Sequence, residues 1–297
     1  MKNTLLNDAL FPFIFDNMPI RGNLVHLNDT FTQALQHQQL PTNLKTALGE
    51  LMAASILLTS SIKLDGALIL QLQAKGALKL LVVECTSDLK IRATATWDTD
   101  QTELVQNSQL IDLIVNGHFM ITLDPSVGEA YQGIVPIEGD TIADMLQNYM
   151  LRSQQIDTTI ILDCDGASAA GLLLQKLPNS PESDIDAWNR INHLANTVTP
   201  DELQLLAADT LLKRLFSEED VRLFSAQPTQ FFCSCTHTNV ANMLKMLGQV
   251  EIDDILADFG KIDVNCDFCN KHYAFDALDA SQLFNEKAVY IDNNTTH

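Results

Sequence analysis

The sequence predicts an α+β protein made of an N-terminal sheet-over-helix domain, a helical linker and a small C-terminal module. Three observations carry that reading. Alternating apolar segments with turn residues between them fill residues 1–177 around one long apolar helix. A composition change at Pro178-Asn-Ser-Pro181 opens an acidic, helical stretch, residues 178–230. In residues 231–297, four of the six cysteines stand as two close pairs, Cys233-Ser-Cys235 and Cys266-Asp-Phe-Cys269, thirty residues apart.

Taken in order, strands are predicted at 10–15 and 21–27, flanking the turn residues Asp16-Asn17-Met18-Pro19. Residues 30–38 have helical composition. After Leu40-Pro41, Leu44, Ala47, Leu48, Leu51, Ala54 and Leu58 recur at three- and four-residue spacing, which predicts a core helix. Gly49, Ala53 and Ala54 would let another element approach it closely. Segments 67–73, 77–85 and 89–97 alternate with period two around Lys75-Gly76 and Ser87-Asp88, an antiparallel meander. Further strands are expected at 119–123 and 131–135, a helix capped by Asp140 at 141–153, and apolar strands at 158–164 and 169–175. Together these read as a sheet folded over a helix.

The linker carries nine acidic and four basic residues between Asn179 and Gln230. Thr199-Pro-Asp-Glu202 is a capping box with proline at the first helical position, and it opens an amphipathic helix through Leu203, Leu206, Ala207, Leu211 and Leu215. Ser217-Glu-Glu-Asp220 is expected to open another. Between the cysteine pairs, helices are predicted at 238–247 and 251–259, ended by Gly248 and Gly260.

Of 297 residues, 46% are hydrophobic and 19% charged, as in a globular protein with a proper core. The balance of 18 basic against 38 acidic residues, a formal net charge of −20, argues against a nucleic-acid partner, whose phosphates need a basic surface, and disfavours an anionic membrane. Asn7, Asp8 and Pro12 interrupt the first apolar run, so no signal peptide is read. The longest aliphatic stretch, 51–58, is too short to span a bilayer. One cysteine quartet and two single cysteines suit a reducing compartment, and a cytoplasmic location is expected.

Each close cysteine pair can supply one edge of a tetrahedral zinc site, which makes Cys233, Cys235, Cys266 and Cys269 the expected metal ligands and one zinc per chain the expected cofactor. His237 and His272 lie near enough in sequence to be alternative ligands, although four cysteines already complete the tetrahedron. A module of fewer than seventy residues has a marginal core, and a metal commonly supplies the missing stability, on the order of 10–16 kcal/mol. Zinc also keeps sulfur as thiolate, the form that oxidants attack. The same ligands can therefore anchor a fold and sense an oxidant. Cys85 and Cys164, each at the end of an apolar strand, read as small core residues. Asp163-Cys-Asp-Gly166 reads as a strand-end turn. No glycine-rich phosphate loop, dinucleotide fingerprint, H-E-x-x-H or G-x-S-x-G motif occurs, and no catalytic residue is assigned. The alternative is an enzyme with a purely structural zinc tail. A nucleic-acid-binding zinc ribbon is opposed by the ten acidic residues of 231–297 against Lys245, Lys261, Lys271 and Lys287.

The cysteine pattern, behind an acidic helical linker and an α+β body, resembles the heat shock protein 33 family of redox-regulated chaperones. The resemblance runs through Phe15-Asp-Asn, Ile20-Arg-Gly22, Leu48-Gly-Glu-Leu51, Ile91-Arg-Ala-Thr94, Ile121-Thr-Leu-Asp124, Tyr131-Gln-Gly-Ile-Val135, Trp188, Phe232-Cys-Ser-Cys235 and Cys266-Asp-Phe-Cys269 with Tyr273-x-Phe275. It implies a reduced, zinc-bound, inactive chaperone. On oxidation such a protein releases zinc, joins Cys233 to Cys235 and Cys266 to Cys269, unfolds its linker and zinc module, and as a homodimer holds unfolding client proteins without ATP. By loop entropy, these short disulfides would restrict the unfolded chain by only about 3.5 kcal/mol together, too little to replace zinc. One departure stands out: Thr236-His-Thr-Asn239 follows Cys-Ser-Cys where family members often have Ser-x-x-Arg, so a basic residue beside the thiolates is missing.

Overall fold

The computed structural model describes residues 8–178, 184 and 186–284. The chain forms two compact units, Met1–Phe232 and Cys233–His297.

The first unit opens with the hairpin β1 (Ala9–Phe15) and β2 (Ile20–Leu27), then the helices α1 (Asp29–Leu35) and α2 (Thr42–Ser61). The meander β3 (Gly66–Gln73), β4 (Leu78–Thr86) and β5 (Lys90–Trp97) follows, with the short helices α3 (Thr102–Asn107) and α4 (Leu110–Leu113). Next come β6 (His118–Pro125), β7 (Tyr131–Val135), α5 (Ile142–Ser153), β8 (Thr158–Cys164) and β9 (Ala169–Lys176). The linker region contributes α6 (Ala187–Ala195), α7 (Pro200–Leu205), α8 (Ala208–Leu215), β10 (Val221–Leu223), β11 (Gln227–Pro228) and β12 (Gln230–Phe231).

These strands make two sheets. One runs β10-β1-β2-β9-β8, with β11 also on β1; the other runs β12-β5-β4-β3-β6-β7. Pairing is antiparallel except for β12 on β5. Helix α2 packs against strands of both sheets, and one apolar core joins its Leu44, Leu48, Leu51, Met52 and Ile56 to Val25, Leu70, Val83 and Leu173. Close approach is built from small residues. A Cβ on Gly49 would collide with the Cys164 Sγ and the Phe31 ring, and one on Gly171 would meet Leu57 Cδ1 at 2.8 Å.

Strand β9 explains how the linker is held. Its residues 169–175 are all buried, with no polar alternation, as expected of a strand covered on both faces. Leu173 faces the α2 core, while Ala170, Leu172 and Leu174 join a second core with Phe13, Phe15 and Leu24. That second core is closed by the linker through Ala187, Ile191, Leu203, Leu211, Leu212, Leu215 and Phe216. Polar contacts fix the seat. His26 Nε2 donates to the Leu203 carbonyl at 2.9 Å, and Gln204 Nε2 donates to Asp163 Oδ2 at 2.8 Å.

Several sequence expectations are corrected here. The helix expected from Thr199 to Leu215 is two helices, because Leu206 and Ala207 are extended (ψ 138° and 146°), and the break lets Leu203 and Leu211 both reach the sheet. Ser217–Asp220 opens no helix. The chain there turns into β10, and Asp16 N donates to the Asp220 carbonyl at 2.9 Å, so edge-strand pairing overrides local helix propensity. The cap of α5 is Thr141, in a reciprocal box with Asp144, rather than Asp140.

Candidate metal centre

The second unit contains α9 (His237–Leu247), α10 (Gln249–Phe259), the hairpin β13 (Ile262–Asn265) and β14 (His272–Phe275), and α11 (Ala277–Leu283). Its core is small: Val240, Ala241, Leu244, Ile252, Ile262, Tyr273, Phe275, Ala280 and Leu283. Gly260 ends α10 in the left-handed region at φ 73°, where a side chain would be strained.

Two local structures present the cysteines. Cys233 and Cys235 lie just before α9, whose first turn is capped by Thr236 Oγ1 accepting from Asn239 N at 3.1 Å. Asn239 Nδ2 reaches back to the Ser234 carbonyl at 2.8 Å, clamping the loop between the paired thiols. Thr236 and Asn239, noted in the sequence only as a departure from the family pattern, are thus the residues that shape the first pair. A cap signature followed by an amide three residues on was the available signal. Cys266 and Cys269 sit in the turn of the β13–β14 hairpin. There Cys266 N donates to the Lys271 carbonyl at 3.0 Å, Asn270 N to the Cys266 carbonyl at 2.7 Å, and Asn270 adopts φ 55°.

Together they bring four Sγ atoms within 4.8 Å of one another, with Cys233 to Cys266 at 3.6 Å and Cys235 to Cys269 at 3.3 Å. Four sulfurs about 2.3 Å from a central zinc would stand about 3.8 Å apart, so the spacing fits a tetrahedral thiolate site. Among the described residues this is the one group of three or more His, Cys, Asp or Glu placed to hold a metal. The alternative ligands are elsewhere. The His237 ring stacks 4.4 Å from that of Phe275, and His272 Nε2 pairs with Asp263 Oδ1 at 2.9 Å.

The thiols are not equivalent. Burial opposes ionisation of Cys235, but the Tyr273 hydroxyl and the neighbouring thiols outweigh it and bring its pKa down to about 7. Burial, followed by proximity to the other thiols, pushes Cys233 and Cys269 up. One member of the cluster therefore ionises near neutral pH at the expense of its neighbours, as expected where like charges crowd. Cys85 and Cys164 behave otherwise. Both are buried in the body, and burial pushes each thiol up to about 12, which leaves them unreactive. Asp163-Cys-Asp-Gly166 is the expected turn, with Asp165 Oδ1 accepting from Ala167 N and Ser168 N at 2.7 Å each.

A family model described as "Hsp33 protein" matches residues 8–276. The chain belongs to the Hsp33 family. The 33 kDa chaperonin of Methylobacillus flagellatus is 56% identical, over 98% of this chain and 99% of that protein. That of Chromobacterium violaceum is 44% identical over 98% of each. The crystal structure of the 33 kDa chaperonin of Thermotoga maritima superposes with a TM-score of 0.77 at 20% identity, covering 93% of this chain and 98% of that one, and so shares the fold. Hsp33 proteins are chaperones, and their name is not that of an enzyme. Among the described residues no helix is long and apolar enough to cross a membrane.

Proposed function

We propose that the chain is a redox-regulated, ATP-independent holdase chaperone, silent while its four cysteines are reduced and hold one zinc ion, and activated when they are oxidised. The observation that carries this reading is the cluster of four sulfurs within 4.8 Å on a unit whose described residues place nine buried apolar side chains in its core. Working parts are assigned as a substrate-binding and dimerisation body at 1–177, a linker at 178–230 and a switch module at 231–297, acting in the cytoplasm on unfolding client proteins. Neither nucleic acid nor membrane is a proposed partner.

Zinc, when bound, supplies the positive charge that keeps the sulfurs as thiolates and ties the two pairs together. The cysteines do the rest. A thiolate attacks one oxygen of hydrogen peroxide, the O–O bond breaks as the S–O bond of a sulfenic acid forms, and the leaving hydroxide takes up the thiol's proton as one water. Condensation with a second thiol forms the disulfide and a second water, so each pair of thiols passes two electrons and two protons to one peroxide. Within the folded cluster the cross-pair sulfurs, at 3.3 and 3.6 Å, are as close as a tetrahedron makes any pair, so distance there selects no partner. Once the unit loosens, closing a three- or four-residue loop is favoured over one of more than thirty. Cys233 then joins Cys235 and Cys266 joins Cys269. Neither bridge ties the first pair to the second. The unit unfolds, and the loss of order runs back from Cys233 through β12 into the linker. Release of the linker bares the outer sheet face of Phe13, Phe15, Leu24, Leu172 and Leu174 together with the linker's own leucines, apolar surface of the kind that holds an unfolding client in a homodimer.

The test follows zinc release, disulfide position and suppression of a model client's aggregation in one peroxide-treated sample. Zinc loss, short-range disulfides and holdase activity are expected to rise together. A dominant bridge from Cys233 or Cys235 to Cys266 or Cys269, or full activity with zinc still bound, would overturn the reading.

A further inference from the structure

We infer that the body carries a binding site for a small amphipathic monocarboxylate, in the pocket between the two sheets at the C-terminal end of α2, with the Arg21 guanidinium receiving the carboxylate. The pocket encloses about 310 Å³, at the lower end of the range for small-molecule sites. Leu58, Leu68, Ile121 and Met150 form its apolar wall, and Arg21, Ser61 and Gln175 stand on the polar side.

Arg21 is the unusual feature. Its Nε and Nη2 donate to Gln175 Oε1 at 3.1 and 2.6 Å, and Nη2 also donates to the carbonyl of Ser61, the last residue of α2, at 2.8 Å. These bonds suit a residue that caps the helix, and they account for two of the three guanidinium nitrogens. Nη1 makes no hydrogen bond with any described residue, and no described carboxylate pairs with Arg21. Burial lowers its pKa from the ordinary arginine value, and no charged neighbour offsets that cost. A half-buried cation with a spare donor beside an apolar cavity is a receptor for an anion with an apolar tail, since a carboxylate would both neutralise the charge and accept from Nη1.

The head group is a monocarboxylate rather than a phosphate. No second Lys or Arg lines the pocket, and a chain with net charge −20 disfavours a dianion. Tyr149 adds a second polar contact. Its hydroxyl accepts from Gln154 Nε2 at 3.3 Å and keeps its own proton to donate.

Calorimetric titration of the full, reduced, zinc-loaded chain with octanoate, 1-octanol and acetate tests the site. Octanoate is expected to bind once per chain, about tenfold or more tighter than 1-octanol, because the alcohol cannot form the charge-assisted pair. Acetate, without a tail, should not bind over the same range. Equal affinities for octanoate and 1-octanol, or no octanoate binding below its micelle-forming concentration, would overturn the proposal. Arg21→Met can also loosen α2, so Leu123→Trp, which fills the pocket from the other sheet, serves as the second variant. Unchanged octanoate affinity in a folded Leu123→Trp protein would count against the site. In the unaltered chain octanoate should shift the methyl resonances of Leu58, Ile121 and Met150, and shifts confined elsewhere would also overturn it.

Discussion

Helix α2 alone buries thirteen residues between two sheets, whereas the described residues of the second unit, 233–284, put nine buried residues in its core and leave Met246, Val250 and Phe259 exposed at 87%, 77% and 75%. The body is stabilised by apolar area removed from water, with each buried leucine contributing about 1.5–3 kcal/mol. The smaller unit buries far less of that area among its described residues and gathers four thiols into one cluster. A fold that depends on covalent and coordinate chemistry can be undone by a chemical signal. A fold that depends on a large apolar core cannot. The linker lies between these extremes. It completes a real core, but one half of that core is sheet and the other half is only α6, α7, α8 and Phe216.

The contrast between the two units is tested most directly by treating the reduced, zinc-reconstituted protein with a chelator. Chelation is expected to unfold Cys233–His297, with loss of the helical signal of α9 and α10, because the ion contributes on the order of 10–16 kcal/mol in small modules. Heteronuclear spectra should keep the dispersed resonances of β1–β9. If α9 and α10 survive chelation, the small core is sufficient and the contrast fails.

Cys266→Ser comes next. Replacing one thiolate by a hydroxyl should cost more than the roughly 10- to 100-fold in metal affinity that follows loss of a group merely supporting a ligand. Partial unfolding and client binding without oxidant are expected. Stoichiometric zinc in an inert Cys266→Ser protein would refute the quartet.

The linker core gives a smaller effect. Leu211 is fully buried and Leu206 only partly so, which separates two positions that share one stripe in the sequence. Leu211→Ala should destabilise docking by about 2–5 kcal/mol, and Leu206→Ala by clearly less. The difference should appear as faster hydrogen exchange in α7 and α8 and as activation at milder stress. Equal effects would mean the linker is not held by this core.

The smallest expected effect is on pH. His26 Nε2 donates to the Leu203 carbonyl, and its buried Nδ1 has no partner, so a second proton there would be left unpaired and the neutral ring is favoured. Burial lowers its pKa below 6.5, while the bond to Leu203 opposes the shift. With the linker released, His26 on β2 can take up a proton that it resists while the linker is docked. Docking is therefore fully stable above the ordinary histidine value and weakens as pH falls from there through the lowered one. Glu50, raised to about 7 by burial and by Asp163, acts with the opposite sign on the body, since between 4.5 and 7 the folded state holds the extra proton. The two are separated by His26→Gln, which keeps an amide donor for Leu203 but does not titrate. Fluorescence of Trp188, packed on the linker core, should report acid undocking in the natural chain and a flatter profile in the variant.

Much of this was legible in the residues themselves. The cysteine quartet could be read because metal ligation demands particular side chains at close spacing, and the turns that present them need few residues. The Thr199 capping box and three- and four-residue periodicity are equally local, so α2 and the start of α7 were found where the sequence put them, while α5 was placed with its cap one residue early. The apolar run Ala169–Leu174 marked β9 as a strand, but that both of its faces are covered, and by what, came only with the tertiary structure. The tertiary structure decided what depends on distant partners. Strands β10, β11 and β12, of three and two residues, exist because β1 and β5 offer unpaired edges, and no local pattern that short could declare a strand. The linker helix breaks at Leu206 because the sheet beneath rewards two separate contacts more than one continuous hydrogen-bonded turn. Arg21, a single basic residue in a strand, became a pocket residue only when two sheets met at the end of α2, a meeting set by the packing of the whole body.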